Sequence, residues 1–223
     1  MLFIVIDAVI VSVALASIAF PLPHELMTDD EAYLQLVNRD HLFDDATFKK
    51  DLVPLKVRTK NDTELRLRRV ASRALTDLFA AAEAEGVRLY AISAYRDLAT
   101  QRALYNNDVK ANNGIDDHST QIPGASEHQT GLAVDLVGRE WLGYTLTEAF
   151  ADTVEARWLA SRCAEFGFVI RYPKTKESIT GIVYEPWHLR YVGLEAAQYM
   201  TDNELTLEEL WMLWYLYLED NVL

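Results

Sequence analysis

The chain has 223 residues, with 34 acidic against 21 basic side chains and a net charge of -13. This length suffices for one domain of ordinary size with a substantial apolar core. The acidic balance excludes a nucleic-acid-binding protein, because contact with a phosphate backbone needs clustered Lys and Arg, and it gives no attraction to anionic lipid. The single cysteine, Cys163, excludes an internal disulfide, and its place in an apolar stripe predicts a small buried side chain rather than a nucleophile.

The first twenty residues are nearly all apolar and are followed by Pro21-Leu22-Pro23. The run has the length of a signal peptide or a membrane helix. Its flanks are atypical, since no Lys or Arg precedes it and Asp7 lies inside it. We therefore divide the chain into an apolar N-terminal segment, residues 1–22, and a single domain, residues 23–223. For the segment, a cleaved signal, an uncleaved anchor and a misassigned start are all open.

The first half of the domain is predicted to contain a packing helix, a strand and a second helix. Apolar residues over 67–82 recur at the helical period, with Asp62 as the predicted cap and Gly86 just beyond the end. Residues 87–93 have the pattern of a strand. Asp97 can then cap the second helix.

Loops and short strands dominate the second half. Residues 112–124 are rich in Asn, Asp, Ser and Gly and are predicted to form a loop beside a cleft, with His118 as a solvated loop histidine. A third helix is predicted over residues 152–166, followed by short strands at 168–170 and 181–184.

The last predicted element is a helix that begins at a capping box formed by Thr206 and Glu209. We expect its crowded aromatic face to pack on the domain's own core, with a partner or membrane contact as the alternative. Helices interleaved with a few short strands, without regular alternation, predict an α+β domain in which helices pack around a small, mainly antiparallel sheet. On that sheet the segments carrying Asp135 and Glu185 would lie side by side.

Two short stretches contain two histidines and three carboxylates, of which both histidines, Asp135 and Glu185 make up the inventory of a catalytic zinc site. His128, Asp135 and His188 can fill the three protein positions of one Zn2+ ion, whose fourth position stays open. Glu185 is then placed to act as a general base off the metal, and Gly131 lets the chain bend between two of the ligands. The stretches are Ser126-Glu127-His128-Gln129-Thr130-Gly131-Leu132-Ala133-Val134-Asp135 and Glu185-Pro186-Trp187-His188.

These stretches, extended by Pro123-Gly124-Ala125 and by Leu189-Arg190-Tyr191-Val192-Gly193, resemble the VanY-type D-alanyl-D-alanine carboxypeptidases. That family consists of zinc peptidases of the LAS group, which trim bacterial cell-wall peptides. The likeness runs from about residue 31 to about residue 210. The resemblance implies that the two histidines and Asp135 bind one zinc ion and that Glu185 is the general base and acid.

The resemblance also implies roles for three polar residues outside the metal set. Arg96 would face the scissile carbonyl and stabilise the oxyanion that develops there, with a surface ion pair as the alternative. Gln101 and Ser126 would help to hold the terminal D-alanine and its carboxylate. A helix-surface amide and a turn hydroxyl are the alternatives for these two.

We therefore expect a zinc-dependent D,D-carboxypeptidase that hydrolyses the C-terminal D-alanine from peptidoglycan stem peptides. The alternatives are an L,D-carboxypeptidase acting on tetrapeptide stems and a non-catalytic zinc-containing domain that binds cell wall. The expected partners are stem peptides, with no nucleic acid, membrane contact only through residues 1–22, and a monomeric state. A substrate in the finished wall places the enzyme in the cell envelope, exported or membrane-anchored; a cytoplasmic location is the alternative.

Overall fold

The computed structural model describes residues 33–44, 51–116 and 120–222. The predicted N-terminal segment, residues 1–22, and the predicted loop histidine, His118, lie outside the described residues. Among the described residues, no helix combines the length and the apolar character that a membrane span requires.

The centre of the domain is a four-stranded antiparallel sheet with the strand order β3-β4-β6-β5. A separate antiparallel pair, β1-β2, precedes it in the chain. This architecture confirms the predicted α+β class with a small antiparallel sheet. The strands are β1 Leu52–Pro54, β2 Arg66–Arg68, β3 Leu89–Ser93, β4 Ala133–Gly138, β5 Phe168–Ile170 and β6 His188–Tyr191.

Helices lie between and after these strands. They are α1 Arg69–Ala84, α2 Leu98–Ala111, α3 Val154–Arg162, α4 Glu177–Thr180, α5 Leu194–Asp202 and α6 Leu207–Val222. The apolar stripe of α1 is buried against the sheet, and Gly86 follows the helix in the left-handed conformation, as predicted. Asp97 caps α2 by accepting a hydrogen bond from the backbone N–H of Thr100.

Two details of the predicted elements are wrong. Asp62 does not cap α1, because residues 66–68 pair with β1 as β2 and hold the chain extended up to Arg68, the residue that directly precedes the helix. Residues 181–184 do not form a strand: Glu185 donates its N–H to Tyr172 O, and Pro186 has no N–H for a ladder. Pairing with β4 therefore starts only at His188.

The predicted helix over 152–166 forms in two parts. Thr153 caps α3, which tightens into a 3-10 turn, Cys163–Phe166, and ends at Gly167 in the left-handed conformation. Cys163 is buried, and burial raises the pKa of its thiol to about 12, which leaves it unreactive as a nucleophile. The prediction of a buried small side chain is confirmed.

The aromatic face of α6 packs on the domain, as expected. Thr206 and Glu209 form the predicted capping box, with each backbone N–H bonded to the other side chain. Trp214 is buried in a cluster shared with α5 and β5, and Trp211 donates its indole N–H to Leu34 O. These contacts fix the C-terminal helix beside the segment at residues 33–44.

Candidate metal and active site

Three elements bring His128, Asp135 and His188 together. His128 lies in a buried 3-10 turn, Glu127–Thr130, Asp135 is in β4, and His188 opens β6 directly opposite Asp135 in the sheet register. Gly131 turns the chain between the first two, as predicted: its φ is 66°, and an added Cβ would lie 2.8 Å from Leu52 Cδ2. The antiparallel register thus converts residues far apart in sequence into neighbours.

The geometry of the three side chains suits a metal ion. Their ligand atoms all lie within 4.8 Å of one another, and all three residues are buried. His128 Nε2 is 3.4 Å from Asp135 Oδ2, and His188 Nδ1 is 2.9 Å from Asp135 Oδ1. A tetrahedral zinc with bonds of about 2.0–2.2 Å holds its ligand atoms roughly 3.3–3.6 Å apart. The 3.4 Å separation lies in this range, and the 2.9 Å separation of the hydrogen-bonded pair lies a few tenths of an ångström below it, so a small outward shift of His188 or Asp135 would admit the ion.

Hydrogen bonds set which nitrogen of each ring faces the cluster. His128 donates its Nδ1–H to Ala94 O at 2.8 Å, which leaves Nε2 directed toward Asp135. His188 instead turns Nδ1 toward Asp135. A ring whose second nitrogen is held by a carbonyl presents the first as a lone-pair donor, the form that a metal requires.

Burial and mutual charge tune the three groups. Burial lowers the pKa of His128, so its ring is neutral, whereas the carboxylates of Asp135 and Glu127 outweigh burial and raise the pKa of His188 to about 9. Burial would raise the pKa of Asp135, but the two histidines hold it well below its usual range. A metal entering this cluster must therefore displace a proton from His188.

Glu185 stands beside the three residues without being one of them. Its Oε2 is 3.8 Å from His188 Nδ1, and 17% of its side chain is exposed. Burial raises the pKa of Glu185 to about 7 despite the opposing field of His188. Its backbone is held by hydrogen bonds to Tyr172 O and from His188 N. A carboxylate with such a pKa can both take and return a proton near neutral pH.

Arg96 follows the end of β3 and lies near the cluster. Its backbone N–H donates to His128 O, and its Nη2 donates to Ser126 Oγ at 3.2 Å. Burial lowers the pKa of Arg96, while the nearby carboxylates of Asp135 and Glu185 oppose that change and keep the guanidinium charged. The Nε of Arg96 is buried and has no hydrogen-bond partner among the described residues. That arrangement leaves a donor available beside the metal site.

Gln101 is buried near the start of α2, so it is not a helix-surface amide. Its Nε2 donates to Gln121 O, and its Oε1 is buried without a partner in the part of the chain that the structure describes. Ser126 is also buried, and its hydroxyl accepts from Arg96. Ser126 therefore lies within the site. The hydrogen bond of Gln101 instead goes to Gln121, in the loop before Gly124.

The sequence and the fold match one family. Residues 64–194 match the model of the VanY D-alanyl-D-alanine carboxypeptidases. The chain belongs to this family.

Among its relatives is the bifunctional D-Ala-D-Ala dipeptidase and carboxypeptidase VanXYC of Enterococcus gallinarum, 34% identical over 79% of this chain and 92% of that protein. The structure of the LdcB LD-carboxypeptidase is similar with a TM-score of 0.76 and 40% identity, covering 83% of this chain and 88% of LdcB. A variant of the D,D-pentapeptidase VanY, in complex with Zn(II), gives a TM-score of 0.66 and 35% identity over 80% and 98%. VanYB has been solved in complex with D-alanine-D-alanine. The protein is thus a VanY-family carboxypeptidase and, with it, a hydrolase.

The sequence analysis assigned no role to four residues near the His128-Asp135-His188 cluster of this VanY-family protein. They are Glu127, Arg171, Tyr172 and Arg190. Glu127 lies 3.5 Å from His188 Nε2 and pairs with the buried Arg171 and Arg190. The ring of Tyr172 lies 5.0 Å from that of His188. The signal for Glu127 was its position next to a ligand; nothing local marks Arg171 or Tyr172.

Proposed function

We propose that this VanY-family protein is a zinc-dependent D,D-carboxypeptidase that removes the C-terminal D-alanine from peptidoglycan stem peptides. The observation that carries the proposal is the placement of Glu185 and Arg96 beside a buried His-Asp-His cluster. His128, Asp135 and His188 would hold the ion. Zinc, when bound, supplies Lewis acidity that polarises a carbonyl and makes water a better nucleophile near neutral pH.

The protein's own side chains divide the remaining work. Glu185 takes a proton from the attacking water and returns it to the departing amine, for which a pKa of about 7 is suitable. Arg96 donates to the carbonyl oxygen as negative charge develops there, an interaction worth roughly a hundredfold to a thousandfold in rate. Ser126, bonded to Arg96, and Gln101 would help to hold the terminal D-alanine and its carboxylate; the Gln101 Oε1, which has no partner among the described residues, can accept only from an N–H of that residue.

A second candidate is L,D-carboxypeptidase activity on tetrapeptide stems. It is favoured by the similarity to LdcB, an LD-carboxypeptidase, at a TM-score of 0.76 and 40% identity. The D,D assignment is favoured by the family model and by relatives named for D-Ala-D-Ala substrates. A zinc domain that only binds cell wall would need neither Glu185 nor a buried donor at Arg96, so we do not favour it.

The test is mass spectrometry of defined pentapeptide and tetrapeptide muropeptides after incubation with the zinc-loaded protein. Loss of one alanine from the pentapeptide alone supports the D,D assignment. Loss from the tetrapeptide alone moves the assignment to L,D. Release from neither, with zinc bound, overturns the carboxypeptidase proposal in favour of binding alone. The Glu185→Ala variant reports contaminating peptidase, and Glu195→Ala, an exposed glutamate on α5, is the matched control.

We also propose a location in the cell envelope, because the proposed substrate is part of the finished wall. Residues 1–22 would provide export or anchoring, and the domain itself would act as a monomer. A cytoplasmic enzyme acting on precursors is the alternative. Fractionation of cells that express the full chain, together with N-terminal sequencing of the recovered protein, distinguishes a cleaved signal, an anchor and a cytoplasmic enzyme.

A further inference from the structure

Behind the proposed metal ligands lies a set of buried charges, here called the ion network: Glu127, Arg171, Arg190 and Glu208. The side chains of Glu127, Arg171 and Arg190 are 0% exposed, and that of Glu208 is 13% exposed. Buried charges are costly unless they are paired and hydrogen-bonded. The ion network therefore needs either a complete set of partners or a function.

Most partners of the ion network are in place. Arg171 donates Nε to Glu127 and both Nη groups to Glu208, at 2.6–2.8 Å. Arg190 donates to Glu127 at 2.6 Å and to the carbonyls of Tyr33 and Gln35. Burial would raise the pKa of Glu127, but Arg171 and Arg190 outweigh it and hold that pKa well below its usual range. Glu127 is consequently an ionised carboxylate in a fixed position.

The two oxygens of Glu127 have different surroundings. Oε1 accepts from both guanidinium groups, at 2.7 Å from Arg171 and 2.6 Å from Arg190. Oε2 accepts from neither and lies 3.5 Å from His188 Nε2. Among the described residues, these two buried atoms have no other hydrogen-bond partner. A buried unpaired acceptor opposite a buried unpaired ring nitrogen calls for a physical explanation.

We propose that Glu127 is a positioning residue, whose Oε2 accepts a hydrogen bond from His188 Nε2–H and so holds His188 with Nδ1 toward the metal site. This inference rests on the proposed metal site. His188 Nδ1 already faces Asp135, so a neutral ring that binds metal through Nδ1 must carry its hydrogen on Nε2. A carboxylate behind a ligating histidine fixes both the tautomer and the ring plane.

The ion network explains why Glu127 can hold that position. Arg190 ties it to the backbone of residues 33–35, and Arg171 ties it to Glu208 at the start of α6. Glu127 also directly precedes His128 in the 3-10 turn. One rigid carboxylate therefore couples two of the three ligands to the core of the domain. A purely structural network would stabilise the fold without affecting metal binding.

The test compares the zinc dissociation constants of the wild type, Glu127→Gln and Glu208→Gln, measured by competition with a chelator. In Glu127→Gln the two arginines retain the amide oxygen, so the NH2 group faces His188 Nε2. Two donors then oppose each other, which favours the tautomer with hydrogen on Nδ1 and weakens zinc binding. We expect an affinity loss of roughly 10–100-fold, the usual cost of removing such a partner. Glu208→Gln perturbs the same network without touching His188 and should retain wild-type affinity.

Each outcome decides the proposal. Equal zinc affinity in Glu127→Gln and wild type, or equal losses in both variants, would overturn the positioning role and leave a structural network. A wild-type protein that binds no zinc would overturn the metal site as well. Peptidase activity is not part of this comparison, so failure of the proposed function is separable from failure of this inference.

A measurement on the wild type covers the case in which Glu127→Gln fails to fold. In zinc-loaded protein with nitrogen-15-labelled histidine, long-range ring couplings distinguish Nε2–H from Nδ1–H. We expect His188 to show a low-field, slowly exchanging Nε2–H proton. His128, which donates Nδ1–H to Ala94 O, is the internal reference. A His188 Nε2–H proton in rapid exchange with water would contradict the proposal.

Discussion

The side chains on two sides of the His128-Asp135-His188 cluster differ in how many of their hydrogen-bonding groups are paired. On the catalytic face, formed by Arg96, Ser126 and Glu185, a buried donor has no partner among the residues that the structure describes, and a carboxylate is partly exposed. On the ion network side, the charges are buried and paired at 2.6–2.8 Å. Unused hydrogen-bonding capacity faces the place where substrate would lie, while the ion network has its charges paired and keeps one free acceptor, Glu127 Oε2, beside His188. This contrast is what the proposed function and the proposed positioning role require: one side for chemistry and the other for rigidity.

The largest effect is expected from the loss of a proposed metal ligand that contacts both the catalytic face and the ion network. His188→Ala removes one of three metal donors and the proposed partner of Glu127. We expect loss of stoichiometric zinc and of detectable carboxypeptidase turnover, because two protein ligands hold zinc poorly. Metal analysis after gel filtration checks this, with His41→Ala, an exposed histidine, as the matched control. Stoichiometric zinc in His188→Ala would require a different ligand set.

Breaking the catalytic face alone should spare the metal. Glu185→Gln keeps the shape of the side chain but cannot take a proton. We expect kcat to fall by roughly a hundredfold to ten-thousandfold, the range for general acid–base groups, with zinc content unchanged. Steady-state kinetics and metal analysis on the same sample test this. Wild-type turnover in Glu185→Gln would remove Glu185 from the mechanism.

Arg96→Ala tests the second charged residue of the catalytic face. Removal of one oxyanion donor costs roughly a hundredfold to a thousandfold in kcat, and we expect that loss here. Arg102→Ala, an exposed arginine on α2, provides the matched control. A change confined to KM would indicate that Arg96 binds the substrate without stabilising the transition state.

Disruption of the ion network should lower the free energy of unfolding more than it lowers the catalytic rate. Arg171→Met removes the partner that Glu127 and Glu208 share, so that Glu127 keeps only Arg190 and the largely buried Glu208 loses its arginine. We expect the free energy of unfolding to fall by about 3–5 kcal/mol. Denaturant unfolding of the metal-free protein measures it. An unchanged unfolding midpoint would show that the network contributes no stability.

His188 links the two sides to pH in the metal-free protein. Its pKa is raised to about 9 by the carboxylates of Asp135 and Glu127 against the effect of burial, above an unfolded value near 6.5. The resulting stabilisation is complete below pH of about 6.5 and is lost as pH rises through about 9. Unfolding curves between these pH values should show falling stability, and His188→Gln should remove this dependence. A flat profile in the wild type would contradict the assignment.

The smallest effect is expected at an ion pair outside both sides. Lys176 pairs with Glu209 at 2.8 Å, but both side chains are 26% exposed. Water screens this pair, so Lys176→Ala should cost no more than roughly 1 kcal/mol in the free energy of unfolding. Compared in the same denaturant, the Arg171 and Lys176 variants measure what burial adds to a charge pair. Equal losses would mean that burial of the ion network has no energetic consequence.

Signals that act over a few residues were readable in the sequence. The cap at Asp97, the capping box of Thr206 and Glu209, and the stripe of α1 all depend on neighbours three or four positions apart. The predictions failed at Asp62, where pairing between β1 and β2 decided the backbone, and at residues 181–184, where the hydrogen bond from Glu185 N–H to Tyr172 O did so. Local propensity cannot report a competing long-range partner.

The sequence by itself determined the class of chemistry. The chain has only five histidines, and two of them lie in short stretches that also contain carboxylates, which limits where a metal can bind. It therefore predicted His128, Asp135, His188 and Glu185 as one site, and the structure brings them together. Only the tertiary structure decided what stands behind them. Glu127 meets residues 44 and 63 positions away, because the register of β4, β5 and β6 brings buried charges to one side of the sheet. No local sequence pattern predicts these contacts of Glu127, since they depend on the pairing of strands that are far apart in the sequence.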